Sequence, residues 1–196
     1  MDGYYSEEEL KALGLKSVGK NVLISKKASI YTPSKISIGH DVRIDDFCLL
    51  TGNITLGNYI HLAPYVSIHG TGGGSVTMKD FSGLSSYTTV YASSDDYSGN
   101  SIPNPTVGEK YEKLISSDIV IEKHVIVGLH SVILPNAYLA EGVALGAMSM
   151  LGKKTKPWGF YCGIPCQRLS ERQKDCLAME EEIYRLEKEK AGKEES

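Results

Sequence analysis

No run of apolar residues in this chain approaches the ~20 that a membrane-spanning helix needs. The opening stretch, MDGYYSEEELKALG, is acidic and polar and has no signal-peptide features. No membrane span is therefore expected, and a cytoplasmic location is the expectation that follows. Excess basic charge is missing as well: 21 Lys and Arg face 24 Asp and Glu, for a net charge of −3. That excludes a general electrostatic field for nucleic acid. The four cysteines, Cys48, Cys162, Cys166 and Cys176, include no CxxC pair. Cys162 and Cys166 lie four apart without a second ligand pair, so free thiols are expected.

What the chain has is a rhythm. From Ile38, the residues Ile44, Leu50, Leu56, Leu62 and Ile68 follow at steps of six. From Ile121, the residues Val127, Ile133, Leu139, Leu145 and Leu151 do the same. Shorter runs are Val18, Ile24, Ile30, Ile36 and Met78, Leu84, Val90. Four positions after each comes a small or β-branched residue: Val42, Cys48, Ile54, Ile60 and Val66, then Val125, Ser131, Ala137, Val143, Ser149 and Thr155. Steps of six scatter around an α-helix and do not track one face. Short strands joined by tight turns explain them. Each unit is one side of a coil, with the large aliphatic inside and the small residue at the crowded corner. Stacked coils then bury a column that no single coil could bury alone.

The ends are different. In YSEEELKALG, Ser6 is an N-cap, Glu9 completes a capping box and Gly14 ends a short helix. SERQKDCLAMEEEIYRLEKEKAG reads as a longer helix from near Ser170. Its residues Leu177, Ile183 and Leu186 lie roughly on one side, ready to pack on the coils or on another subunit. The chain divides into an N-terminal helical segment, 1–17, a repeat domain, 18–168, and a C-terminal helix, 169–196. One stretch, VYASSDDYSGN, breaks the rhythm and begins an excursion over 92–117.

The pattern resembles the hexapeptide-repeat acyltransferases, in the sugar O-/N-acetyltransferase branch and closest to the nucleotide-amino-sugar N-acyltransferases. The resemblance implies an all-β fold, a left-handed parallel β-helix. Its handedness comes from the resemblance alone, since parallel connections elsewhere are right-handed. It also implies a homotrimer with active sites between subunits, and acetyl-CoA or another acyl-CoA as co-substrate, with no metal. Three stretches carry it. IEKHVIVGLHSVILPNAYLAEGVALGAMSML is similar to the family's C-terminal coils and includes Leu129. In LGAMSMLGKKTKPWG, the family's backbone lines the pantetheine arm around Ala147, Gly152 and Lys153. YCGIPCQRL matches the closing motif and supplies Gly163, Pro165 and Arg168. Lys153, Lys154, Lys156 and Arg168 would form a basic lip for the phosphates of CoA.

Related O-acetyltransferases carry a histidine on an excursion at this coil, to remove the proton from a hydroxyl acceptor. Laid along that segment, GLSSYTTVYASSDDYSGN puts the histidine position at or next to Asp95. No histidine occurs between Val90 and Ile121. An amine with a pKa of about 8 needs much less help from a base. The resemblance therefore implies transfer of an acetyl or longer acyl group to the amino group of a nucleotide-linked amino sugar, in cell-surface glycan (lipopolysaccharide or polysaccharide) biosynthesis. Asp95 is the expected catalytic carboxylate, with Asp96 its rival. Ser85 and Ser86 would hold the sugar, with Glu122 and His69 as further acceptor contacts. The alternative is O-acetylation with His69 as the base. Tyr97, Tyr111 and Trp158 could stack on a base or simply pack, and His40 and His61 read as surface turn residues. Two rivals lie further off. One is a zinc enzyme resembling the γ-class carbonic anhydrases, using His61, His124 and His130. The other is a scaffold without chemistry.

Overall fold

The computed structural model describes residues 3–194 and resolves the rhythm into a left-handed parallel β-helix of about seven coils. Three columns of inward residues run along it. On the first face Val18, Ile38, Leu56, Met78, Ile121 and Leu139 stack in register. On the second, the column is Ile24, Ile44, Leu62, Leu84, Val127, Leu145 and Tyr161. On the third it is Ile30, Leu50, Ile68, Val90, Ile133 and Leu151. Most of these side chains are fully buried. Each contributes on the order of 1.5–3 kcal/mol of transfer free energy. The small residues also lie where the repeat put them, inside the corners: Cys48, Ser131 and Ser149 are all at 1% exposure or less. Burial pushes the Cys48 thiol up to about 11, so it behaves as a small core residue.

A regular coil advances 18 residues, as from Ile121 to Leu139. The Leu56-to-Met78 step is four longer, and the extra residues lie between Gly70 and Ser75. The Met78-to-Ile121 step is longer still, because the large excursion is added to that one coil, and Ile119 to Ile121 still pair in register with Val76 to Met78. Both insertions leave from the corner between the third and first faces. The ladder closes across them, so the excursions cost the column nothing.

The corners turn through non-glycine residues at positive φ, a conformation unusual for bulky side chains. Stacking offsets the strain. At the corner between the second and third faces, Phe47, Tyr65, Tyr87 and His130 stack ring on ring at 4.6–4.9 Å, the spacing of adjacent strands. At the corner between the first and second faces, Tyr59, Phe81, His124 and Trp158 form a second ladder. Gly142, at φ +69°, belongs to this ladder, and a Cβ there would run into the Trp158 ring.

Helix α1 (Glu7–Ala12) has the expected capping box: the Ser6 Oγ accepts from Glu9 N–H, and the Glu9 carboxylate accepts from Ser6 N–H. Helix α2 (Cys176–Glu194) starts later than Ser170, because Gln167–Glu171 forms a strand antiparallel to Gly159–Cys162. Of the three apolar residues expected on one side, Leu177 and Ile183 are half-buried, and polar and aromatic residues add contacts to the coils. Glu180 meets Lys123 and His124, Tyr184 packs against Tyr59 and Phe81, and Glu187 reaches the Tyr59 hydroxyl. Leu186 stays 44% exposed.

Candidate active site

The expected residues gather along the two edges of the third face. At the edge shared with the second face, Ser86, Leu129, Ala147 and Gly163 occupy one row, each two residues past an inward residue of the second column. Backbone bonds tie the row: His130 N–H donates to Ser86 O at 3.0 Å, Met148 N–H to Leu129 O at 2.8 Å, and Met150 N–H to Gly163 O at 3.1 Å. Ser85 and Ser86 line a groove of about 430 Å³ with His61, Gly83, Leu129 and His130. Residues scattered over nearly 80 positions of sequence thus form one straight wall, because the coil repeat places them at the same corner.

At the other edge, shared with the first face, lie Gly152, Lys153 and the excursion. A Cβ at Gly152 would meet nothing closer than 3.6 Å, so this chain's own packing does not demand glycine there. Such a position suits close approach of something else to the backbone. Pro165 is exposed beside Gly163. Arg168 faces Tyr161 across the antiparallel pair and is ion-paired with Glu171.

The excursion begins as a strand, Ser93–Asp95, paired antiparallel with Leu114–Ser116. It rests on the GTGGGS segment. A Cβ on Gly72 would lie 2.6 Å from Ser93 Cβ, and one on Gly74 2.7 Å from Ala92 O. The glycine run is thus a bed for the hairpin, a role sequence reading missed. Its signal was there: three consecutive glycines in a strand mark a close backbone approach.

The two adjacent carboxylates have opposite surroundings. Asp96 is buried and accepts from Ser98 N–H at 3.0 Å and Ser98 Oγ at 2.9 Å, with Lys113 Nζ at 3.2 Å. The Ser98 backbone bond, foremost, holds it below the usual carboxylate range. It staples the loop. Asp95 is half-buried, and among the described residues no hydrogen bond reaches its carboxylate.

His69 lies on the third face just before the small excursion. Its Nε2 is 2.6 Å from Ser67 Oγ, its ring stacks on Tyr91 at 4.0 Å, and burial lowers its pKa. Glu122 is not brought to these edges. It lies at the end of the first face, where Lys79 Nζ donates to it at 2.9 Å and Tyr138 Oη at 3.0 Å. The three histidines weighed for zinc do not converge: His61 is on the second face, and His124 and His130 are rungs of different ladders. Among the described residues no group of three His, Cys, Asp or Glu could hold a metal ion. Trp158 is a buried rung, Tyr97 is 85% exposed, and Tyr111 lies under Lys110 Nζ. Among the described residues no helix is long and apolar enough to cross a membrane.

The left-handed parallel β-helix, its corner row of Ser86, Leu129, Ala147 and Gly163, and the excursion at the neighbouring edge give the chain the architecture of the hexapeptide-repeat acyltransferases. No family model matches the chain. A relative from Escherichia coli, dTDP-4-amino-4,6-dideoxy-D-glucose acyltransferase, is 44% identical over 180 residues, covering 90% of this chain and 93% of its own. AntD, an N-acyltransferase from Bacillus cereus solved with dTDP and 3-hydroxybutyryl-CoA, is 46% identical with a TM-score of 0.93, covering 96% of this chain and 100% of that one. A hexapeptide-repeat acetyltransferase from Vibrio cholerae, at 19% identity and a TM-score of 0.58 over 86% of this chain and 82% of that one, shares the fold alone. The chain belongs to the CoA-dependent N-acyltransferases of nucleotide-linked amino sugars.

Proposed function

We propose that this enzyme acylates the amino group of a dTDP-linked 4-amino-4,6-dideoxyhexose, with Asp95 as the catalytic carboxylate. The observation that carries the assignment is the contrast between the two neighbours: Asp96 is engaged within the loop, and the Asp95 carboxylate has no hydrogen-bond partner among the described residues. The amine nitrogen attacks the thioester carbonyl, the C–N bond forms and the C–S bond breaks. Asp95 accepts the proton leaving the nitrogen, and the CoA thiolate is protonated as it departs. Ser85, or Ser86 beside it, holds the sugar. The pantetheine arm lies along Leu129, Ala147 and Gly163, with Gly152, Lys153, Pro165 and Arg168 toward the rest of CoA. Positioning supplies much of the rate.

The relatives support this reading. AntD variants with a serine changed to Cys or Ala have been solved with dTDP-4-amino-4,6-dideoxyglucose and CoA, and variants with that serine changed to Thr or an aspartate changed to Ala or Asn with dTDP and CoA. A hydroxyl acceptor is disfavoured because His69 Nε2 is already engaged with Ser67. The working form is a homotrimer with sites between subunits. The open ladder supports it: Phe47, Tyr65 and Tyr87 are 44–48% exposed, an apolar stripe suited to a second subunit. The enzyme works in the cytoplasm, in cell-surface glycan biosynthesis.

The test is thiol release from acetyl-CoA and 3-hydroxybutyryl-CoA with two acceptors, dTDP-4-amino-4,6-dideoxyglucose and a simple β-galactoside. Release with the amino sugar alone is the expected result. Release with the galactoside alone would overturn the assignment and make His69 the base.

A further inference from the structure

Arg43 and His61 are register partners on neighbouring strands of the second face, about 4.8 Å apart by strand spacing. Both point outward, flanked by the inward residues Ile44 and Leu62. One carboxylate holds both. Asp45 is 6% exposed. Its Oδ1 accepts from Arg43 Nε at 2.6 Å and from Tyr4 Oη at 3.3 Å, and its Oδ2 lies 2.7 Å from His61 Nε2. Burial works against this charge, but hydrogen bonds from His61 and Arg43 outweigh it and keep the group below the usual carboxylate range. A buried charge is costly unless fully paired. Its consequence here is orientation. Arg43 meets Asp45 through Nε, so the guanidinium is fixed while its side chain stays 56% exposed. The imidazole of His61 is fixed in the same way, at the rim of the groove that Ser85 lines. Gly83, between His61 and Ile126 in the ladder, leaves the groove open: a Cβ there would lie 3.4 Å from His61 O.

We propose that Arg43 and His61, with Asp45 as a positioning residue, form a phosphate subsite filled by the diphosphate of the nucleotide-linked acceptor. This rests on the acceptor assignment above. A guanidinium with free terminal N–H groups matches phosphate oxygens in a bidentate geometry. The order along the prism selects the source. Arg43 and His61 lie on the N-terminal side of Ser85, whereas Leu129, Ala147, Gly163 and Arg168 lie on its C-terminal side. The two substrates then approach the Ser85 coil from opposite ends of one corner, with the nucleotide toward the N-terminal coils and CoA toward the C-terminal ones.

The experiment is calorimetric titration of the intact enzyme with dTDP alone and with CoA alone, for wild type, Arg43→Gln, His61→Gln and Asp45→Asn. The expected result is an affinity for dTDP at least about tenfold weaker in each variant, with CoA binding unchanged. Steady-state assays should show KM for the amino sugar raised by about the same factor, with kcat within about twofold and KM for acyl-CoA unmoved. A merely structural role for Asp45 would disturb both substrates together. Arg43→Gln alters an exposed side chain and keeps the test alive if Asp45→Asn fails to fold. Weakened CoA binding with dTDP unaffected would overturn the proposal and give the subsite to the CoA phosphates. Wild-type affinity for dTDP in all variants would overturn it while leaving the acceptor assignment standing. Failure of the wild type to bind dTDP would overturn both.

Discussion

The two aromatic ladders obey one local rule and end in opposite places. In both, a corner residue at positive φ stacks on its counterparts one coil away. Tyr59, Phe81, His124 and Trp158 lie toward helix α2, whose Tyr184 packs edge-on against Tyr59 and Phe81 and whose Glu180 pairs with His124. Phe47, Tyr65, Tyr87 and His130 have no such cover among the described residues, and Tyr87 and His130 line the Ser85 groove. The difference is not written in the ladders. It comes from what the chain does after its last coil, where Gln167–Glu171 reverses direction and delivers α2 to one corner. One corner is covered by α2, and the other stays exposed beside the proposed site.

The sharpest separation of the two sides should come from the excursion. Asp95→Asn is expected to lower kcat by about 10²–10³-fold, the scale of general base catalysis. Thermal midpoint and CoA affinity should stay as in the wild type. An unchanged kcat would break the division at its functional end.

The covered side should respond in stability alone. Gly142→Ala forces a Cβ into the Trp158 ring at φ +69°. We expect a loss of about 2–4 kcal/mol from strain and displaced packing, read by urea denaturation. A neutral effect would mean that the ladder does not bind the C-terminal coils together.

A smaller effect follows at the helix contact. Glu180→Gln should cost about 1–3 kcal/mol of local stability, because a buried charge-assisted pair with Lys123 and His124 is lost. Hydrogen exchange across α2 should speed up while the coils stay protected and kcat holds. Glu180 also sets a pH dependence. Burial raises its pKa, but the bonds from Lys123 and His124 outweigh that and leave it below 4.5. A depressed carboxylate stabilises the fold above its unfolded pKa and loses that contribution as pH falls. Protection of α2 should therefore fall as pH drops below about 4.5, and Glu180→Gln should flatten that decline.

Most of the coil was legible before any coordinates. A period of six with small residues four positions on can only be met by stacked short strands, and every inward position named from the rhythm between Ile36 and Leu151 is buried. The capping box at Ser6 was legible because its partners are three residues apart. The closing strand at Gln167–Glu171 was not, since its partner, Gly159–Cys162, sets it and local propensity does not. The polar and aromatic contacts of α2, through Glu180, Tyr184 and Glu187, were not legible either, because the groups they meet belong to a distant corner.

The site divides in the same way. The sequence by itself determined the columns, the coil at which the excursion leaves and the absence of a histidine on it, because these depend on spacing and residue type. It could not separate Asp95 from Asp96, nor find Arg43 and Asp45 beside His61. Contacts from Ser98 and Lys113 engage Asp96 and not Asp95, and coil stacking brought Arg43 and His61 onto a single buried acid. Those are contacts between groups that only the folded prism brings within reach, and tertiary structure alone decides them.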